Sequence, residues 1–387
     1  MKTARNILLP SIVMLGLISG GIYGFLHKKN EAPTDTETET TFAIPEEGVQ
    51  SDAFSLRYFQ QVLHEQNGNV LVAPQIVSNA LRAMADIASG ETLKELEAAQ
   101  VSEKLHAAGA TVQDFLIAVD INLPRNGNHD AVMPIPFSED LPLALSLFNG
   151  TLAQSSPDPN AQFASRESVT ERTRLLAGIT AYCMPAWQAP FYAADTQSAD
   201  FDSASGALPR YQQMRSRGLF RLANADDDTW RAVALELDST KNGSVLIGII
   251  PSGSAREFAR ELTPQQLSSI RQALAEATPQ DTLVEFPRIE QRIQAYDMRY
   301  TLRKLGLTSL FDPAKADFSR LTTQKIHLSA MVQAIAISLV ESPGKQKASD
   351  NMEDAANRIS FSRPFIWLIA DLTSHTPPEF IGLVEEL

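Results

Sequence analysis

Near the C-terminus, two apolar runs rich in β-branched residues, "HLSAMVQAIAISLV" and "PFIWLIADL", are separated by a long polar interval beginning at Glu341. The runs read as buried strands. The interval, "ESPGKQKASDNMEDAANR", carries Lys, Asp, Asn and Ser, and no core-forming pattern. Connections longer than about 12–15 residues are uncommon inside a domain and are usually functional or disordered. Any fold assigned to this chain must therefore place an extended loop between two strands of its core.

The rest of the chain narrows the choice. The 387 residues are 44% hydrophobic and 20% charged, which suits one large domain or a few smaller ones. A net charge of −13 leaves no basic stripe to neutralise phosphates and argues against a nucleic-acid partner. Cys183 is the single cysteine, so no intramolecular disulfide exists. Its apolar flanks, "ITAYCMPAW", make it a buried small hydrophobe rather than a reactive thiol.

Residues 1–29 hold an uncharged stretch from Ile7 to Leu26, flanked by Lys2 and Arg5 before it and Lys28 and Lys29 after it. At ~1.5 Å per residue this stretch spans the ~30 Å hydrocarbon core of a membrane. It reads as a signal-anchor or transmembrane segment that makes membrane contact through residues 7–26. The alternative is a cleaved signal peptide with Ser19-Gly20-Gly21 near the cut. The first gives a membrane-anchored protein with an extracytoplasmic domain, and the second a secreted one. Residues 30–50, rich in Thr, Glu and Pro, read as a disordered acidic linker, and the folded domain as 51–387.

Within that domain helical patterns come first. "DAFSLRYFQQVL" and "QIVSNALRAMADIAS" place apolar residues at helical spacing, and the second pattern ends at Gly90. A third helix starts with Thr92 as its expected N-cap and Glu95 three residues on. Strand-like runs follow, from "LLAGITAYCM" through "WRAVALELD", "SVLIGIIPSG" and "TLVEFPRIE" to "FIGLVEEL". "KNG" marks a hairpin turn, and "LTPQQLSSIRQALAEA" is a helix with Pro264 in its first turn. Helices followed by strands point to a single α+β domain.

No catalytic constellation emerges, and the chain reads as not an enzyme. The six histidines are dispersed without metal-ligand spacing, and no cofactor is implied. Asp226, Asp227 and Asp228 lack calcium-loop spacing, and Gly253-Ser254 sits outside any nucleophile elbow.

Several segments in order resemble the serpin family of serine protease inhibitors. These are "NVLVAPQIVSNALRAMADIASGETLKEL", "AYCMPAWQAPF" with Trp187 and Phe191, and "MRSRGLFRL". They continue with "VEFPRIEQRIQAYDMRYTLRKLGLTSLFDPAKADFSRLT" and "SFSRPFIWLIADLTSHTPPEFIGLVEEL". The resemblance implies a serpin-like domain of three β-sheets and about nine helices, a monomer, with an exposed reactive loop over residues 341–359. In the family such a loop is bait for a serine, sometimes a cysteine, protease, and after cleavage it inserts into the central sheet. The implied protease-binding residues are Glu341, Pro343, Gly344, Lys345, Lys347, Ala348 and Arg358. The implied sheet-opening positions are Ala73, Pro74, Ile76, Ile179 and Gln333, which replace the family's Ser, Asn and His cluster by largely apolar residues.

Insertion requires alternate loop residues to enter the core. Aligning Gly344 with the family's hinge glycine buries Lys345, Lys347, Ser349 and Asn351. An ungapped alignment buries Gly344, Gln346, Ala348 and Asp350, with Pro343 at the glycine position. Both registers bury charge, which opposes insertion. Two functions stay open on the sequence: serine endopeptidase inhibition, or a non-inhibitory, membrane-tethered interaction scaffold with the same fold.

Overall fold

The structure is a computed structural model, and it describes residues 46–101, 111–127, 129–237, 243–343, 351–373 and 376–387. These belong to the unit Ile44–Leu387. The described helices are α1 (Glu46–Glu65), α2 (Pro74–Ile87), α3 (Gly90–Ala98), α4 (Leu141–Ala153), α5 (Ala255–Glu261), α6 (Pro264–Glu276) and α7 (Arg299–Lys304). The first seven strands are β1 (Val70–Val72), β2 (Val112–Asp120), β3 (Val132–Ile135), β4 (Leu175–Cys183), β5 (Gln197–Asp200), β6 (Arg210–Asn224) and β7 (Trp230–Glu236). The rest are β8 (Ser244–Pro251), β9 (Gln280–Pro287), β10 (Ile289–Asp297), β11 (Leu328–Leu339), β12 (Asn357–Ser360), β13 (Phe365–Asp371) and β14 (Phe380–Val384).

The α+β expectation holds, with seven α-helices among the described residues rather than about nine. In the segment after α4, Ser and Asp side chains close turns. Asp158 accepts from the Asn160 amide and Ser165 from the Glu167 amide, the local competition that disfavours helix. Helix α1 begins at Glu46, five residues ahead of the expected boundary at 51. Pro45 ahead of it and Glu46 and Glu47 in its first turn are the residue types that start helices. No described helix is long and apolar enough to cross a membrane. Residues 7–26 lie outside the described residues.

The three expected sheets are joined into two hydrogen-bonded networks. One has five strands in the order β10-β11-β4-β2-β3. The other runs β1-β14-β13-β8-β7-β6-β9-β12, with β5 on β6. Strand β6 joins its two halves, pairing with β9 over Gln213–Phe220 and with β7 over Arg221–Asn224. "TLVEFPRIE", read as one strand, is two. Pro287 ends β9 in one network, and β10 starts at Ile289 in the other, because proline cannot donate to a ladder.

The five-stranded sheet carries a core on each face. Along β4, Leu175, Ala177, Ile179, Ala181 and Cys183 enter the larger core, while Leu176 enters the smaller one with Phe148 and Leu152 of α4. This is the strand period of two. Gly178 lets α4 sit close, since a Cβ there would lie 2.3 Å from Leu152 Cδ1.

Thr92 is not the cap of α3. The N-cap is Ser89, and Gly90 takes φ +52°, which favours glycine. The Thr92 hydroxyl instead accepts from the Asp317 amide at 2.9 Å and from Ser309 Oγ at 3.1 Å. A Cβ on Gly90 would meet Asp317 Oδ2 at 2.6 Å. The "GETL" and "ADFS" segments, far apart in sequence, are thus two halves of one contact.

Candidate functional site

Strand β11 leads into the loop and pairs in parallel with β4, from Leu328↔Leu175 to Ile337↔Cys183. In this seam Gln333 stands opposite Ile179. Ala73, Ile76 and Ile179 are buried in the larger core, and Pro74 begins α2. Those positions are as apolar as the sequence implies, but the underside of the seam is not. Gln333 is fully buried, and its Oε1 accepts from Tyr58 at 2.7 Å and from Tyr296 at 3.1 Å. The two hydroxyls lie 3.1 Å apart, and Gln333 Nε2 has no partner among the described residues. Burial pushes both phenols up, Tyr58 well above its ordinary value with a further contribution from Tyr296, so they remain neutral donors. Tyr58, Tyr296 and Gln333 thus form a buried polar cluster at the seam. Sequence reading missed Tyr58 because it falls on the apolar face of α1.

At the upper end of the seam the loop is tied down. Trp187 Nε1 donates to the Val340 carbonyl at 2.8 Å, and the Ser342 amide donates to the Phe191 carbonyl at 2.9 Å. The Trp187 and Phe191 rings pack edge to face at 5.1 Å. Glu341 accepts from Thr196 Oγ1 at 2.7 Å and from Arg288 Nε at 3.1 Å. Burial works to raise the Glu341 carboxyl, but the bonds from Arg288 and Thr196 outweigh it and hold the group below its ordinary value. Cys183 ends β4 here, buried, with its thiol pushed up by burial. Pro343 is the last described residue before the gap. Gly344, Lys345, Lys347 and Ala348 lie outside the described residues.

The chain resumes at Asn351, which takes φ 60°, and makes one 3-10 turn over Met352–Asp354 before β12. Strand β12 pairs in parallel with β9, Arg358 opposite Leu283. Arg358 is thus a strand residue, and its Nε donates to Glu285 Oε2 at 3.1 Å and its Nη1 to Glu353 Oε2 at 3.3 Å. Arg215 bonds the same two carboxylates, reaching Glu285 Oε1 at 3.3 Å. Arg217 holds Asp281 at 2.7 and 2.8 Å and donates to the backbone carbonyls of Asn351 and Asp354. Met352 and Leu283 are both buried although neither belongs to either main core.

The described residues on either side of positions 344–350 are thus both anchored, the first at the end of β11, an interior strand paired with β10 and β4. The family profile described as "Serpin (serine protease inhibitor)" matches residues 126–386. The chain belongs to the serpin family.

Among relatives, it is 22% identical to "Serine protease inhibitor 88Ea" of Drosophila melanogaster, over 80% of this chain and 83% of that one. The solved serpin-12 of Manduca sexta superposes with a TM-score of 0.74 at 19% identity, covering 87% of this chain and 98% of the other. Uncleaved ovalbumin superposes at 0.76 with 15% identity, over 88% and 99%. These structural likenesses establish the fold. The family as described is one of serine protease inhibitors rather than catalysts.

Proposed function

We propose that this serpin presents residues 341–359 to a serine endopeptidase, with Lys345 or Lys347 as the residue a trypsin-like enzyme reads. The supporting observation is the pair of anchors, Glu341 on Arg288 and Thr196 at one end and Glu353 on Arg215 and Arg358 at the other. They hold the two ends of the bait while the β11–β4 seam stays closed. Arg358 is a poor candidate for the residue read, since its guanidinium already serves two carboxylates. The N-terminal stretch 7–26 supports export of the domain, anchored or secreted.

A second reading, a non-inhibitory interaction scaffold tethered at a membrane, is favoured by Pro343 and by the charges of Lys345, Lys347 and Asp350 in the segment that would have to insert. Incubation with trypsin-like and subtilisin-like proteases separates the two. Inhibition gives a covalent band on a denaturing gel, and nicked protein that melts well above the intact form because a strand and its apolar area have been added. Nicking with neither outcome selects the scaffold.

A further inference from the structure

The contacts on the far side of the loop exceed what is needed to join it to β12. Four charged side chains from two strands, Arg215 and Arg217 of β6 and Asp281 and Glu285 of β9, converge on residues 351–358. Glu285 is 2% exposed, and it is the shared acceptor of Arg215 and Arg358. A buried carboxylate with two guanidiniums on it is a built site, since removing either partner leaves desolvated charge behind. Glu353 then closes the arrangement from above by reaching both arginines. Arg217, fixed by its two bonds to Asp281, caps the carbonyls at both ends of the 3-10 turn.

We propose that Arg215, Arg217 and Glu353 form a clamp that sets the C-terminal border of the bait at Asn351. A protease that docks on the loop reads bonds on the N-terminal side of Asn351. The bonds following Met352, Glu353 and Arg358 are withheld, because a protease needs its substrate extended and unpaired, whereas Met352 and Glu353 are held in a 3-10 turn and Arg358 is already paired with β9. Arg215 and Arg217 are positioning residues in this role: they act through the backbone and through Glu353, without touching the protease. Arg358, which the sequence offers to a trypsin-like enzyme, is converted by the clamp into part of the scaffold. After a cut in the loop, the piece beginning at Asn351 stays docked on β9.

This inference deepens the bait reading, yet its test measures accessibility alone, so a protein that traps no protease can still pass it. A glutamyl-specific endopeptidase is the probe, with cleavage of the Glu353–Asp354 bond followed by intact mass and normalised to a free peptide spanning 348–358. The unaltered protein is expected to resist cutting at this bond. The double variant Arg215→Gln, Arg217→Gln is expected to be cut at least tenfold faster, and Arg217→Lys to fall between. Equal rates in the unaltered protein and a folded double variant overturn the clamp. Should the double variant fail to fold, hydrogen exchange of residues 352–355 in the unaltered protein decides. Protection at least tenfold above that of the free 348–358 peptide supports the clamp, and any lesser protection overturns it.

Discussion

The hydroxyl of Tyr58 donates to the carboxamide oxygen of Gln333 at 2.7 Å, joining the first helix to the strand that ends just before Glu341. Tyr58→Phe removes that donor and leaves Gln333 Oε1 with Tyr296 alone. The expected cost is about 1–2 kcal/mol, or roughly a 2–6 °C fall in Tm, read by calorimetry. An unchanged Tm would show that the cluster adds nothing to the closed sheet.

Glu341 carries the loop's first anchor. Glu341→Gln keeps the shape and removes the charge that Arg288 and Thr196 have come to meet. Arg288 is 45% exposed, so solvent discounts the pair to about 1 kcal/mol. Exchange of the Ser342 amide, which donates to Phe191, should then speed up about fivefold. No change in that amide would place the anchor elsewhere.

Acid should loosen both ends of the loop. Arg215 holds the Glu353 carboxyl below its ordinary value, Arg217 does the same for Asp281, and Glu341 is lowered against the pull of burial. A lowered carboxyl gives its stabilisation in full above the ordinary carboxylate range and loses it as the pH falls through the lowered value. Protection of the loop ends should hold from pH 7 to about 5 and decline only below about pH 4. A decline starting near pH 6 would implicate a histidine instead.

Gly178→Ala should lift α4 from the sheet, because the new Cβ would meet Leu152 Cδ1 at 2.3 Å and Phe148 Cζ at 2.7 Å. Overpacking of this kind costs about 1–3 kcal/mol. A variant with the Tm of the unaltered protein would mean that the helix rides freely over β4.

What the sequence disclosed followed from local pattern. Helix α6 starts where Pro264 indicates, with Thr263 and Gln266 forming a capping box. Strands β8, β11 and β13 are apolar enough to be read directly. Strand β6 was hidden because Arg210, Arg215, Arg217 and Arg221 break up its apolar run, each drawn to a carboxylate on a neighbouring strand. The two anchors differ in the same way. Trp187 and Phe191 stand in a recognisable motif, whereas Arg215 meets Glu353 across 138 residues with no local signature on either side. Contacts of that reach come from tertiary packing, as do the bonds that draw Tyr58 and Tyr296 onto Gln333.

The pairing of β11 with β4 has a further consequence for the energy of the resting molecule. A segment that leaves the end of β11 and folds back between the two strands runs opposite to both. It would exchange one slanted ladder for two perpendicular ones, the more favourable geometry per residue. Per residue, hydrogen-bond geometry taken alone would favour such a rearrangement. The charges of Lys345, Lys347 and Asp350 would oppose it if they had to be buried.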